Sequence, residues 1–508
     1  MTSGIHHVTA LTRRVQDNVD FYAGFLGLRL VKRTAGFEDA TQLHLFYGDA
    51  LGSPGSLVTF LVWEDGAPGR VGHGQVGEIA LAVPPDSLGD WLGRAIAARV
   101  PVEGPRREMG EAVLRLKDPD GIIVKLVGAD LQARAPLPDP IAPTRVRGVT
   151  LFSERPDETA AFVARFGYRP GRREGAIRRM LSDSDAVDIR DTTGFFAGIP
   201  GTGIFDHVAF RAADDAAVDA MQRALATDGP TQVHDRRYFR SLYVRDPAGI
   251  LFEHATDAPG FTLDEAPGHL GETLFIPPAD AAREAALRVM LPQFSLPGAT
   301  RPPRRDLPFV HRFHHPEDPD GSVILTLHGS AGTEADLFPL AHAVNLRATL
   351  LGLRGRATEE GVARWFRRFG ADRFDQADIR AEAEAFAAFL DGAVRGYGLD
   401  PARLTVLGHS NGANFAAAVM ALHPGLIRRA VLLRPVAVLE DLPPVDLSGT
   451  RALVLIGAQD PAAPRTERLT GWLTRSGATL HTRVIDAGHA PGDPDGPAIS
   501  DWMAGAEG

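Results

Sequence analysis

The sequence contains no cysteine at all. That excludes disulfides, iron–sulfur clusters, zinc sites with thiolate ligands and cysteine nucleophiles, so any metal must rest on histidine and carboxylates. Long apolar runs are missing too. None approaches the ~18 residues of a membrane span, and the opening MTSGIHHVTALTRRV has no hydrophobic signal core, which leads us to expect a cytoplasmic protein with no membrane partner. A basic stripe is also lacking. The 54 Lys and Arg are outnumbered by 64 Asp and Glu, for a net charge of −10, and basic clusters stay short, as at 301–305 and 367–368. Such a chain is poorly suited to gripping phosphate backbones, so no nucleic-acid partner is expected. What remains is ordinary globular material: 508 residues, 44% hydrophobic and 23% charged, enough for two to four domains with full cores.

Two proline-rich stretches divide the chain. DLQARAPLPDPIAPT at 130–144 separates two similar halves, and PQFSLPGATRPPRRDLP at 292–308 reads as a linker, since Pro and Gly there forbid a continuing helix or central strand. Before the linker, four strand signals recur, starting at Ile5, Gly77, Arg147 and Phe205, each followed by a helix-like stretch and further strands. Two units end alike, in DPDGIIVKLVG from Asp118 and DPAGILFEHAT from Asp246. A D-P-x-G turn feeding a last strand supports a shared βαβββ unit, repeated four times over 4–256. The expected boundaries are modules 1 and 2 in 1–130, modules 3 and 4 in 145–291, the linker at 292–308, and a different domain at 309–508. There, apolar runs alternate with helical stretches, as in a parallel sheet buried on both faces.

Aligning the first strands of the four units places His7, Glu78, Gly148 and His207 at one position; aligning the last strands sets Lys125 opposite Glu253. His7, His207 and Glu253 would form a two-His, one-carboxylate face with open positions, the donor set that favours non-haem Fe(II). Glu78 and Lys125 cannot repeat that site, and we expect them to pair with each other instead. His314 and His315, before PEDPDG, read as an exposed turn.

This arrangement resembles the vicinal oxygen chelate superfamily of glyoxalases, bleomycin-resistance proteins and extradiol dioxygenases. More narrowly, IHHVT, HDRRYFRSLYVRDPAGILFEHAT and HLGETLFIPP look like hydroquinone-type ring-cleaving dioxygenases, over roughly residues 4–295. The resemblance implies that His7, His207 and Glu253 hold Fe(II), with Mn(II) as the alternative ion. It also places His6, Arg236 and Tyr243 among the catalytic residues and Thr9 just behind them. A small aromatic and O₂ are the implied substrates, with oxygen insertion to a lactone and hydrolysis to a semialdehyde. A glyoxalase-like isomerase, a metal-free aromatic-binding module and a merely structural half are the alternatives.

In the last 200 residues, GHSNG from Gly408 fits G-x-S-x-G between a strand and a helix, with LTLHGSAG before it, and LIGAQDP and DAGHAPG after it. The order Ser410, Asp460, His489 is that of an α/β-hydrolase triad. Backbone N–H groups of Asn411 and of Ser330 or Ala331 are the expected oxyanion hole. The region resembles carboxylesterase/phospholipase-type hydrolases, and 435–450 is too short for a helical cap domain. An ester or lactone is therefore expected as substrate, with a carbon–carbon hydrolase as the alternative. The fold class expected is an α+β region of four vicinal oxygen chelate modules followed by a three-layer α/β-hydrolase sandwich, together a bifunctional enzyme.

Overall fold

In the computed structural model, which describes residues 4–505 apart from 133–134, 136–138, 302–304 and 371, the chain divides into two compact units. One comprises Met1–Ala282 with Gln293–Thr300, the other Arg283–Pro292 with Arg301–Gly508. The helix Glu284–Met290, expected with the fourth module, therefore groups with the second unit, while Ser295 returns to the first and receives and gives hydrogen bonds at Gln16. Of the expected linker 292–308, and of the break at 130–144, the residues named above lie outside the described ones.

The first unit is the vicinal oxygen chelate fold: four βαβββ modules arranged in two curved sheets. Module 1 does not share a sheet with module 2. Its first strand, Ile5–Thr12, pairs antiparallel with the first strand of module 4, Phe205–Ala212, in a nine-stranded sheet. Modules 2 and 3 meet in the same way through Gln75–Val83 and Arg145–Ser153 in an eight-stranded sheet. Within each module the first strand runs parallel to the last, as His7 beside Leu57 and Ala209 beside Glu253. The proline-rich break thus joins two modules of the same sheet, and the changes of sheet fall between modules 1 and 2 and between modules 3 and 4. The repeated D-P-x-G turns are built alike. Asp118 and Asp246 each accept two backbone N–H groups through one carboxylate oxygen, and Gly121 and Gly249 supply the left-handed backbone, at φ +93° and +89°.

Both central pairings carry the same irregularity. His6 and Asp206 are skipped in the register of the first, Gly77 and Arg147 in that of the second. A bulge inserts one residue and re-aims its side chain. Without it, His6 and His7 would point to opposite faces of the sheet.

The cup of modules 2 and 3 is filled by charge. Lys125 Nζ lies 3.0 Å from Glu78 and 3.0 Å from Thr150 Oγ1, and Arg115 also binds Glu78. Behind them Arg179 grips Asp188 and Glu111, so each buried acid has a cationic partner.

The second unit is a three-layer α/β sandwich. Its seven-stranded sheet contains, in spatial order, the strands beginning at His311, Thr349, Val323, Leu404, Arg429, Arg451 and Thr479, all parallel except the first. The nearly all-apolar, small-residue helix Asn411–Leu422 is buried from Asn411 to Ala421, against Phe386 and Trp365 among others. Here one expectation is corrected. His314 is not in an exposed turn: it closes the edge strand His311–His314, pairs with Leu350 and is 8% exposed. The strand needs an inward residue at that position, and its neighbour His315 alone faces solvent.

The second cup gives a first prediction. Lys125→Met removes one partner from a buried acid and should destabilise the protein by about 3–5 kcal/mol. Urea unfolding measures it, and a loss below about 1 kcal/mol would mean the pair behaves as a surface ion pair.

Candidate active sites

In the first unit, His7, His207 and Glu253 come together on three neighbouring strands. His7 Nε2 and His207 Nε2 stand 2.9 and 3.0 Å from the same Glu253 oxygen and 3.3 Å from each other. Ligands about 2.1 Å from one ion and at right angles are about 3.0 Å apart, the edge of an octahedral face. Glu253 is fully buried, and neither of its oxygens accepts a hydrogen bond of good geometry. A bare carboxylate in such a place is costly without a positive partner, and among the described residues this trio is the one group able to hold a metal ion. The donor set and spacing fit a divalent cation.

The bulged residues sit directly behind the two imidazoles. Asp206 accepts from His207 Nδ1 at 2.7 Å, and His6 Nδ1 lies 2.9 Å from His7 Nδ1. With a proton on each ligand's Nδ1, both Nε2 lone pairs are left for the cup, the usual device for orienting a metal-binding imidazole. Burial opposes charge on His207, but Asp206 and Glu253 outweigh it and raise its pKa to about 9. His6 has no acidic contact comparable to this. Burial, reinforced by His7, lowers its pKa to about 3 and keeps it neutral.

Of the other expected residues, Thr9 Oγ1 lies 2.9 Å from His207 Nε2 and 2.9 Å from Thr59 Oγ1. Tyr243 pairs across the sheet with Glu253 and packs its ring edge-on to His207. Burial and then the Glu253 charge push its phenol well above the ordinary value, so it stays protonated. Arg236 reaches over the Tyr243 ring and is held by Glu38 at 2.8 Å. Three neighbours escaped the sequence reading. Asp206 is one; Phe239, stacked obliquely on both His6 and His7, is another. The third is His44, bonded to Thr59 at 3.0 Å and kept neutral by burial, with a pKa of about 3. A lone histidine in the otherwise buried strand LHLFYG was the available signal.

In the second unit, Ser410, Asp460 and His489 all follow carboxyl ends of parallel strands, where open α/β sheets place their sites. His489 Nε2 is 2.8 Å from Ser410 Oγ, and its Nδ1 is 2.9 Å from Asp460. Burial by itself would raise the Asp460 pKa, but the Ala462 N–H and His489 hold it below the ordinary carboxylate value. Ser410 has φ +49°, a strained conformation for a residue with a side chain. The flanking glycines make the turn feasible. A Cβ on Gly412 would stand 2.1 Å from the Leu327 carbonyl, and one on Gly408 would stand 2.8 Å from Ala413.

For the oxyanion hole, Asn411 begins the helix, where backbone N–H groups lack intrahelical partners. Of the two residues offered as its companion, Ala331 is corrected. Its N–H already donates to the Ala363 carbonyl at 2.9 Å, which leaves Ser330. Arg434 was not foreseen. Fully buried against Asp495, it also donates to the Gly488 carbonyl at 2.9 Å and so fixes the loop that carries His489.

Two module-built sheets, one of them holding a His-His-Glu cup, followed in the same chain by a sandwich with a Ser-His-Asp arrangement, define a vicinal oxygen chelate protein joined to a hydrolase. The comparisons agree. The model of the Glyoxalase/Bleomycin resistance protein/Dioxygenase superfamily matches residues 4–126. MhqO of Bacillus subtilis (strain 168), a provisionally assigned ring-cleaving dioxygenase, is 38% identical over 286 residues, covering 54% of this chain and 91% of that protein. The chlorohydroquinone/hydroquinone 1,2-dioxygenase of Sphingobium indicum is 33% identical over 307 residues, 56% of this chain and 95% of that one. MhqD of Bacillus subtilis, a provisionally assigned hydrolase, is 30% identical over 183 residues, 36% of this chain and 92% of that one. The chain belongs to the glyoxalase/bleomycin-resistance/dioxygenase superfamily, as an enzyme whose ring-cleaving dioxygenase half is fused to a hydrolase.

The bulge geometry yields a second prediction. Asp206→Ala frees His207 Nδ1 and should weaken divalent-metal binding about 10–100-fold. Titration with Mn(II) or Co(II) reads this without any turnover, and unchanged affinity would deny Asp206 the orienting role.

Proposed function

We propose that the first unit is an Fe(II)-dependent extradiol dioxygenase acting on hydroquinone-type aromatics, and that the second hydrolyses an ester or lactone through Ser410. The observation that carries the first half is the tight His7, His207, Glu253 triangle around a buried carboxylate that no lysine or arginine pairs among the described residues. The Sphingobium relative, described as acting on hydroquinone and chlorohydroquinone, supports the substrate class. Three protein ligands leave room for a phenolate and for O₂, and a bound ferrous ion would supply the electronic link between them. Mn(II) is the alternative ion.

A para-diol reaches one ion through a single oxygen, so protein groups must orient the rest of the ring. Tyr243, protonated, can donate to an oxygen of the substrate, and Arg236 offers positive charge to the anion formed during cleavage. Thr9 is a neighbouring hydroxyl. His6, behind His7, acts through that imidazole and not on substrate.

In the second half, His489 takes the proton from Ser410 as it attacks the acyl carbon, and returns it to the departing alcohol. Water then repeats the sequence and frees the acid. Asp460 holds the imidazole, while the Asn411 and Ser330 N–H groups face the developing oxyanion. We take 1–130 and 145–291 as the module pairs, 292–308 as the linker and 309–508 as the hydrolase domain. The working location is the cytoplasm; among the described residues no helix is long and apolar enough to cross a membrane.

The test loads the full chain anaerobically with Fe(II) and follows O₂ uptake with hydroquinone and with catechol. Hydroquinone-dependent uptake should vanish in His207→Ala, whereas a preference for catechol would overturn the substrate assignment. Ser410→Ala should lower ester hydrolysis by on the order of a thousandfold or more and leave O₂ uptake intact.

A further inference from the structure

The cavity beside Ser410 has an unusual wall. It measures about 170 Å³, and its lining includes Arg364, Arg368 and Arg465 together with Ser410 and His489. No carboxylate is among the described lining residues. Two short hairpins, Ala357–Glu359 with Val362–Arg364 and Arg368–Gly370 with Arg373–Phe374, bring Arg364 and Arg368 there. These two arginines share one acid, Glu359, at 2.8 Å from each. The Nε of Arg364, though close to Glu359, is buried without a hydrogen bond of good geometry, and its other arm donates to Ser330 Oγ at 2.7 Å. Arg465, itself half-exposed, has a largely exposed partner in Asp372. Three guanidinium groups against two acids leave one positive charge in excess at the mouth of a nucleophile's pocket. The same lining also includes the apolar side chains of Phe366, Phe374 and Val436.

We propose that this hydrolase selects esters or lactones of short acids that carry a second, free carboxylate, held by Arg364, Arg368 and Arg465. The inference rests on the hydrolase reading above and adds the charge and size of its substrate. A cavity of about 150 Å³ accommodates a benzene-sized molecule, so a chain of about six carbons fits beside the nucleophile. Guanidinium forks match a carboxylate in a way that a neutral acyl tail cannot use. The reaction class that supplies such a substrate leaves a carboxylate on a short carbon chain. Oxidative opening of a six-membered ring is one of that class.

The experiment compares two activated esters of equal chain length in the full-length protein: the para-nitrophenyl monoester of succinic acid and para-nitrophenyl butyrate. The anionic ester should have a kcat/KM about tenfold higher at low ionic strength, as expected for one charge-assisted contact. The advantage should shrink as added salt screens the pocket, and Arg368→Gln and Arg465→Gln should each lower the ratio. Labelling of Ser410 by a fluorophosphonate supplies a second readout on the unmodified chain: maleate should slow it, and neutral maleamide should not. Equal or better turnover of the butyrate, with no protection by maleate, overturns the charge selectivity and leaves the hydrolase in place. Failure of Ser410 to turn over either ester or to label at all removes the hydrolase reading, and this inference with it.

Discussion

The first site depends on one pairing: the antiparallel contact between Ile5–Thr12 and Phe205–Ala212. It joins residues about 200 apart in sequence and sets Thr9 opposite His207. In a regular ladder a shift of one residue would turn every inward side chain outward. Here two bulges fix the register from both sides, and they do so at His6 and Asp206. The same two residues hold the Nδ1 atoms of the adjacent imidazoles. This pair of bulges therefore specifies both where each ligand points and which nitrogen it offers. Tyr243 and Glu253 follow from the next pairing outward, because their strand is registered against Phe205–Ala212 through Ala209 and Glu253.

The second site rests on strain held in place by absence of side chains. Ser410 can adopt its left-handed conformation because Gly408 and Gly412 let helix and strand approach to distances no Cβ would permit. That places the hydroxyl at the start of a helix, where unpaired N–H groups favour negative charge. The buried Arg434–Asp495 pair does the corresponding work for His489, whose loop is also held by His409 Nε2 at the His489 carbonyl, 2.9 Å away. A buried pair of this kind adds less to stability than to uniqueness of position.

Much of this was legible because repetition and punctuation survive in sequence. The fourfold recurrence of one strand signal identifies His7 and His207, and D-P-x-G aligns Glu253 with Lys125. G-x-S-x-G followed by acid and histidine identifies Ser410, Asp460 and His489. What escaped were contacts that no short spacing encodes. His44 lies on a strand of module 1 that also reads as ordinary core, and Asp206 looks like any polar neighbour of a histidine until the bulge sets its carboxylate against the His207 ring. Arg434 reaches 61 residues ahead to Asp495. Arg364 and Arg368 of the hydrolase cavity come from hairpins within 357–374, and a short basic cluster such as 367–368 does not by itself say which way its side chains turn. The choice between Ser330 and Ala331 depended on one backbone hydrogen bond, which sequence does not show.

The two sheets of the first unit solve the same physical problem differently. Both fold an acid into a cup behind a bulged strand pair, and both bury it almost completely. In the cup of modules 2 and 3, Gly77 takes one bulge because the Phe152 ring lies where a side chain would go, and Arg147 takes the other and turns to Glu111. Glu78 then meets Lys125 and Arg115 directly, and its charge is neutralised by protein alone. In the cup of modules 1 and 4, the bulges carry His6 and Asp206, and no lysine or arginine touches Glu253. Its close neighbours are two imidazoles whose outer nitrogens are already engaged. Apart from a proton on His207, whose pKa is raised to about 9, this fully buried carboxylate has no internal counter-charge. The duplicated cup shows that this scaffold can supply one, so its replacement by two histidines and an aspartate marks the position left for an external cation.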